Sequence, residues 1–249
     1  MDLSGLTEKL YPIKPRRATE QELLAVHGRD HINKIQQLSK NHGGEAAQRF
    51  ASTPISPEGF EIAALSAGGV IAAVEATLSG TVQNAYALVR PPGHHAEANE
   101  AMGFCIFANA AIAGRHTLDD LGVGRIAFVD LDVHHGSGAQ QIFWQEPRAL
   151  TISIHQDNAF PPGSGSISDN GAGRGEGFNI NIPLPPGSGI GAYQSAFKRI
   201  VLPALKIYSP DLIIVPIGFD AGAHDPLGRM LLRSAAYRQL TTMLMDAAD

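Results

Sequence analysis

Residues 125–138 read RIAFVDLDVHHGSG, and this stretch decides the fold. It opens as a compact apolar run, Ile126, Ala127, Phe128 and Val129, and then changes composition without a turn residue. Side chains of an extended chain alternate between two faces. Ala127, Val129, Leu131 and Val133 therefore share one face, and Asp130, Asp132 and His134 share the other. Burying two carboxylates and an imidazole beside apolar neighbours is costly unless a partner offsets their charge. A divalent cation would do so.

Working outward, four more short apolar runs read as strands, at 85–89, 150–155, 178–184 and 211–219. Helical spacing connects them. A helix is expected to begin at Thr19, an N-cap with Glu22 in the capping-box position, and to continue to Leu38. Others are expected at 56–78, 102–114, 138–145, 190–208 and 234–248. Gly68 and Gly69 within the second of these indicate close packing rather than a break. The run 161–177 is a long loop rich in Gly, Pro, Ser and Asp, a length that in compact domains accompanies function or disorder.

Strands alternating with helices, and written as continuous apolar runs, indicate a mainly parallel sheet covered on both faces. The expected fold is α/β, a three-layer α/β/α domain, and no linker divides residues 1–249. Ligands of open α/β sheets bind beyond the carboxyl ends of the strands. His94–His95, Asp132–His134, His155 and Asp220 each follow or close an expected strand, so the pattern directs four polar groups to one edge.

Composition narrows the partners. The chain has 19 basic and 24 acidic residues without a basic tail, which argues against a phosphate-neutralising nucleic-acid surface. Its one cysteine, Cys105, excludes an internal disulfide framework and suits a reducing compartment. The N-terminus lacks the apolar centre of a signal peptide, and no uninterrupted apolar run approaches the roughly 20 residues of a membrane span. A cytoplasmic protein without membrane association is the expectation. Oligomeric state is not legible.

Taken alone, Asp132 and His134 also admit a plainer reading, a capping carboxylate and a hydrogen-bonded histidine. Asp220, which closes the apolar run LIIVPIGF, tips the balance toward a metal. An Asp, His, Asp set with an open position suits catalytic zinc, and the absence of clustered cysteines argues against a structural one.

Four motifs, RPPGHHA (90–96), GFC (103–105), DLDVHHG (130–136) and GFDA (218–221), resemble the zinc-dependent histone deacetylase family of the arginase/deacetylase fold. RPPGHH and DPLG (225–228) are similar to its class II and bacterial deacetylase-like amidohydrolase branch. The resemblance covers the chain from about Ala18 onward. It implies zinc held by Asp132, His134 and Asp220, His95 as general base, His94 as its electrostatic partner and Asp130 orienting His94. It implies a channel for an alkyl-amine stem walled by Phe104 and Phe160 beside Gly103. It also implies a structural potassium ion on the Ser153 hydroxyl and the carbonyls of Asp130, Asp132, His134 and Ile154.

The implied substrate is an acetylated lysine peptide, an acetylated polyamine or another small amide. A deacetylase-like binding module without turnover is the rival reading. The binuclear arginase branch needs carboxylates where this chain has Gly136 and Gly222, so one metal is expected. His135 is expected to support the site, His155 to lie near the channel, and Cys105 to be a small buried apolar group. Two departures stand out. Ser137 replaces the family's Asp or Asn partner of the second histidine. The family's first strand, and the C-terminal glycine-rich loop with its Tyr or His oxyanion donor, are expected to be missing, with Tyr237 in the last helix no substitute.

Overall fold

A computed structural model describes residues 2–248. Along the chain it forms α1 (Glu20–Leu24), α2 (Arg29–Lys40), β1 (Gly44–Glu45), β2 (Pro54–Ile55), α3 (Gly59–Leu78), α4 (Asn109–Asp119), β3 (Ile126–Asp130), α5 (Ser137–Ile142) and β4 (Ala149–Gln156). It continues with β5 (Asn179–Leu184), α6 (Ile190–Ala196), a π-helical turn (Phe197–Val201), α7 (Leu202–Tyr208), β6 (Leu212–Ile214) and α8 (Ser234–Ala248). Strands β3 to β6 make a parallel sheet in the order β5-β4-β3-β6, and β1 and β2 pair as a small antiparallel ribbon. All residues of β3 and β4 are buried, as continuous apolar runs require.

The pleat of β3 divides the molecule into two apolar layers. Ile126 and Phe128 enter a core built from α1 to α4. Ala127, Val129, Leu131 and Val133 enter a second core built from α6, the π turn, α7 and α8. The three-layer α/β/α architecture is thus realised. Helix α3 is long and apolar enough to cross a membrane by length and composition, and here Ala63, Ala67, Ile71 and Val74 pack into the first core.

Several expected elements differ. The helix expected from Thr19 to Leu38 is two helices, although the capping box of Thr19 and Glu22 forms. The break lies at His27 and Gly28, which are tied to another segment. Gly28 N–H donates to Ala98 O (3.0 Å), and a Cβ on Gly28 would overlap the Asn99 side chain.

Residues 85–89 form no strand, because no backbone among the described residues pairs with them; Leu88 is 72% exposed and Tyr86 56%. The helix expected from 102 begins only at Asn109, since Gly103 (φ 55°) and Phe104 (φ 68°) take left-handed conformations that a right-handed helix cannot contain. Of 211–219 only Leu212–Ile214 form a ladder with β3; Asp211 N–H donates to Arg125 O (2.8 Å) before it, and beyond it Pro216 O accepts from Leu131 N–H as the chain runs on toward Asp220 without strand geometry. The helix at 234–248 and the long loop at 161–177 form as expected, the loop with one short 3-10 turn.

Candidate active site

The polar face of the central stretch lies at the carboxyl end of β3, where alternation continues after pairing stops. Leu131 and Val133 are buried in the second core, and this anchors the backbone between them. Leu131 N–H donates to Pro216 O (2.9 Å), and Gln156 N–H donates to Val133 O (2.8 Å), so the segment is stitched to chain on both sides. Asp132 and His134 must then face away from that core, into the same space as Asp130.

Asp220 arrives from the chain after β6. Val133 N–H donates to Asp220 Oδ1 (2.9 Å), and His134 N–H donates to Asp132 Oδ1 (2.8 Å). The backbone amides thus hold two carboxylates in place. His134 Nδ1 stands 3.0 Å from Asp132 Oδ1 and 3.0 Å from Asp220 Oδ2. All three donor atoms lie within 4.8 Å of one another. Three donor atoms this close together could hold a metal ion. Gly218 is obligatory here, since a Cβ would overlap Asp132 Oδ2 and lie 2.6 Å from Asp220 Oδ1.

The paired histidines lie against this triad. His94 Nδ1 is 3.0 Å from Asp130 Oδ2, and its Nε2 is 3.7 Å from Asp132 Oδ2. Burial opposes charge on His94, but the Asp132 and Asp130 carboxylates outweigh it and lift the group to about 9. His95 is driven the other way. Burial, followed by the adjacent charge of His94, pushes it well below its ordinary value. The two rings are 3.8 Å apart. One imidazole is therefore cationic at neutral pH and its neighbour neutral, a division that adjacency and burial produce together.

Phe160 stands edge-on to His95 (4.9 Å) and to His134 (6.1 Å), which places it in the site. Gly103 completes the contact: a Cβ there would overlap the His95 ring and lie 2.8 Å from Phe160 Cε1. Phe104 is half-exposed in left-handed backbone and is held by its N–H, which donates to the buried Thr53 Oγ1 (3.1 Å). Such a conformation costs an aromatic residue roughly 1–3 kcal/mol and persists only where its surroundings dictate it. Thr53 carries no motif signal that would have nominated it.

Ser137 does not reach the His95 ring. Its hydroxyl points to the His95 carbonyl (3.4 Å), and His95 Nδ1 is buried without a hydrogen-bond partner among the described residues. His135 instead bonds Ser164 Oγ (3.0 Å) and Gln140 Oε1 (3.1 Å). His155 lies with Nε2 3.1 Å from Gly165 O, so it pins the long loop from below and is itself buried. Cys105 is buried, and burial pushes its thiol up to about 12. Ser153, opposite Asp130 in the β3–β4 register, has its hydroxyl 2.9 Å from His155 Nδ1 and accepts from Gly136 N–H (3.2 Å). Below it a small cavity is lined by Asp130, Gly136, Thr151, Ser153 and Asn181, among others.

Comparison with known proteins agrees with this geometry. Residues 1–249 match the histone deacetylase domain. A histone deacetylase-like amidohydrolase of Pseudomonas aeruginosa is 48% identical over the whole of this chain, which covers 65% of that protein. A polyamine deacetylase of Rattus norvegicus, HDAC10, is 39% identical over 98% of this chain and 43% of its own length. Among solved structures, the HDA15 HD domain superposes with a TM-score of 0.94 at 37% identity, over 99% of this chain and 70% of that one. The chain thus spans somewhat under two thirds of the bacterial relative and less than half of the rat one. By its full-length match, and by a fold that places these motifs at one sheet edge, the chain belongs to the histone deacetylase domain family.

Proposed function

We propose that this chain carries the metal-binding core of a zinc-dependent amide hydrolase that removes an acetyl group from an acylated amine of a lysine or polyamine-like substrate. The observation that carries this reading is the donor triad of Asp132, His134 and Asp220 with the paired rings of His94 and His95 packed against it. The relatives' names, a deacetylase-like amidohydrolase and a polyamine deacetylase, support the same class of substrate.

Asp132 Oδ, His134 Nδ1 and Asp220 Oδ would hold the zinc ion, whose chemistry is to polarise an acyl carbonyl and acidify a water. The protein's own part is proton management. Burial and then the neighbouring His94 hold His95 in the neutral form that a general base needs, while Asp130 keeps His94 oriented beside it. Phe104 and Phe160 would flank an alkyl stem and exclude water, and Gly103 leaves the room this requires. A potassium ion at the Ser153 hydroxyl, near the carbonyls of Asp130, Asp132, His134 and Ile154, is part of the same proposal; of these residues Asp130 and Ser153 line the small cavity beside β3.

One observation favours the second reading, a binding module with little turnover: His95 Nδ1 lacks the partner that would fix its tautomer. Zinc content measured together with turnover of an acetyl-lysine fluorogenic peptide and of an acetylpolyamine separates the two. One zinc per chain with turnover supports the hydrolase. One zinc without turnover favours the binding module, and no zinc removes the site. Asp220→Ala is expected to lose the metal, whereas His95→Ala keeps it and loses at least 100-fold in rate, the scale of general acid–base catalysis.

A further inference from the structure

Phe104 stands in a tight turn that is unfavourable for it. Met102 and Cys105 exchange both backbone hydrogen bonds (3.0 and 2.9 Å), and Gly103 and Phe104 between them take left-handed backbone. Such a turn suits glycine and disfavours an aromatic residue. Phe104 gains little burial in return, since it remains half-exposed. Strained positions of this kind persist only where the surroundings dictate them, and they gather at functional sites. Gly103 lies against the His95 and Phe160 rings, so the turn itself borders the metal site.

What dictates the turn comes from a segment about 50 residues earlier in the chain, the β1–β2 ribbon. Phe104 N–H donates to Thr53 Oγ1 (3.1 Å), and Thr53 is buried. Thr53 is itself fixed from both sides of its backbone. Its N–H donates to Glu45 Oε1 (2.7 Å), and its carbonyl accepts from Ala46 N–H (3.0 Å). The Glu45 carboxylate also receives Ala47 N–H (2.9 Å) and the Ser52 hydroxyl (2.6 Å), which closes the ribbon on itself. A second tie lies beside the first. Arg49 places Nε and Nη2 each 2.6 Å from Glu100 Oε2, and Ala47 bridges to Ala101. Residues 44–55 thus grip 100–104 at two points, one of which is the amide of Phe104.

We propose that Thr53 is a positioning residue for substrate binding: its hydroxyl fixes the Phe104 turn, so that residues 44–55 set how closely the protein grips the straight alkyl stem of an acylated amine. Arg49 and Glu100 hold the ribbon against the turn while it does so. The inference rests on the channel reading of Phe104 given above. Thr53 then contributes to holding the stem and not to the chemical step, so its loss belongs in KM and not in kcat.

The test uses Thr53→Val, which keeps the shape and removes the acceptor, and Thr53→Ser, which keeps the hydroxyl. Each is made in the full chain with Phe104 and with Phe104→Ala. Amide hydrogen exchange across 102–105 is followed by mass spectrometry, and kcat and KM are measured with the acetyl-lysine fluorogenic peptide. Thr53→Val is expected to speed exchange across 102–105 and to raise KM about 5-fold or more with kcat within about twofold, and Thr53→Ser to restore both. In the Phe104→Ala background the same Thr53→Val change should move KM by less than about 1.5-fold, because residues that act through one another are not additive. An unchanged KM in Thr53→Val would overturn the proposal. An equal rise in KM in both backgrounds would assign Thr53 to the fold alone and overturn it too. Should Thr53→Val not fold, Arg49→Gln at its half-exposed position is expected to give the same exchange and KM pattern, and its absence would count against the clasp. A parent chain with normal exchange protection at 102–105 but no turnover would show that the hydrolase reading fails, and the role in substrate binding with it.

Discussion

His95 and Ser137 show how a single substitution reaches the chemistry. The neutral ring of His95 has one nitrogen that the protein leaves alone, and the hydroxyl that could meet it is turned to a backbone carbonyl instead. Ser137→Ala is therefore expected to change kcat by no more than about twofold. Ser137→Asn, which extends a carbonyl toward Nδ1, is expected to raise kcat about 10-fold, in the range for groups that orient a working residue. Equal rates in the two variants would mean that the ring needs no such partner. His134 gives a second prediction. Burial disfavours its charge, but Asp132 and Asp220 outweigh that and raise it to about 10, so the metal-free site carries a proton that a cation must displace. Zinc affinity should accordingly rise with pH, by up to about tenfold per unit between pH 6 and 8, with proton release detectable by calorimetry in buffers of different ionisation enthalpy. Affinity independent of pH would show that His134 is already unprotonated.

At the scale of elements, close approach decides which loops can carry the site. Gly218 and Gly103 lie in different loops and should fail differently. Gly218→Ala drives a methyl group between the Asp132 and Asp220 carboxylates, so metal stoichiometry should fall while circular dichroism is retained. Gly103→Ala crowds His95 and Phe160 in left-handed backbone, so turnover should fall at least 100-fold with metal retained. The opposite pattern would reverse the two assignments. Helix α3 depends on the same effect in a structural role. A Cβ on Gly68 would overlap Arg16 O and lie 2.6 Å from Ala18 N, both backbone atoms. Gly68→Ala should cost about 2 kcal/mol or more by chemical denaturation, despite the better helix propensity of alanine.

For the whole molecule, buried histidines set the acid limit. His27 accepts from Ala108 N–H at Nε2 (3.0 Å) while Nδ1 faces Ala98 O (3.2 Å), an arrangement that requires the neutral ring. Burial, then the neighbouring His31, lowers it to about 3, and burial with His155 does the same for His135. The unfolded chain takes up protons at these residues near 6.5, and the folded chain does not until about 3. Stability therefore rises with pH across this window and is lost as pH falls below about 6.5, by up to about 1.4 kcal/mol per unit for each histidine. Glu22, lowered to about 2 by Arg16 and Thr19 against the effect of burial, adds a smaller loss below about 4.5. Urea denaturation from pH 7 to 4 checks this, and a flat profile would contradict it.

Much of the fold was legible because β3 is written in its own pleat. Ala127, Val129, Leu131 and Val133 enter one core, Asp132 and His134 are turned from it, and Asp220 joins them as its place after an apolar run suggested. Sequence periodicity reports which face a side chain takes, and burial follows from that. It does not report whether a neighbouring backbone is present, so 85–89 read as a strand although nothing among the described residues pairs with it. Nor does it show where two segments cross. The break at Gly28, the left-handed turn at Gly103 and Phe104 and the anchoring of Phe104 by Thr53 all depend on contacts between residues far apart in the chain. The layer order, the grouping of Asp132 and His134 with Asp220, and the paired histidines could be read from local patterns of spacing and chemistry. Tertiary structure alone decided the charge division between His94 and His95 and the unpartnered His95 nitrogen, because both depend on burial and on distances to residues that no local pattern connects.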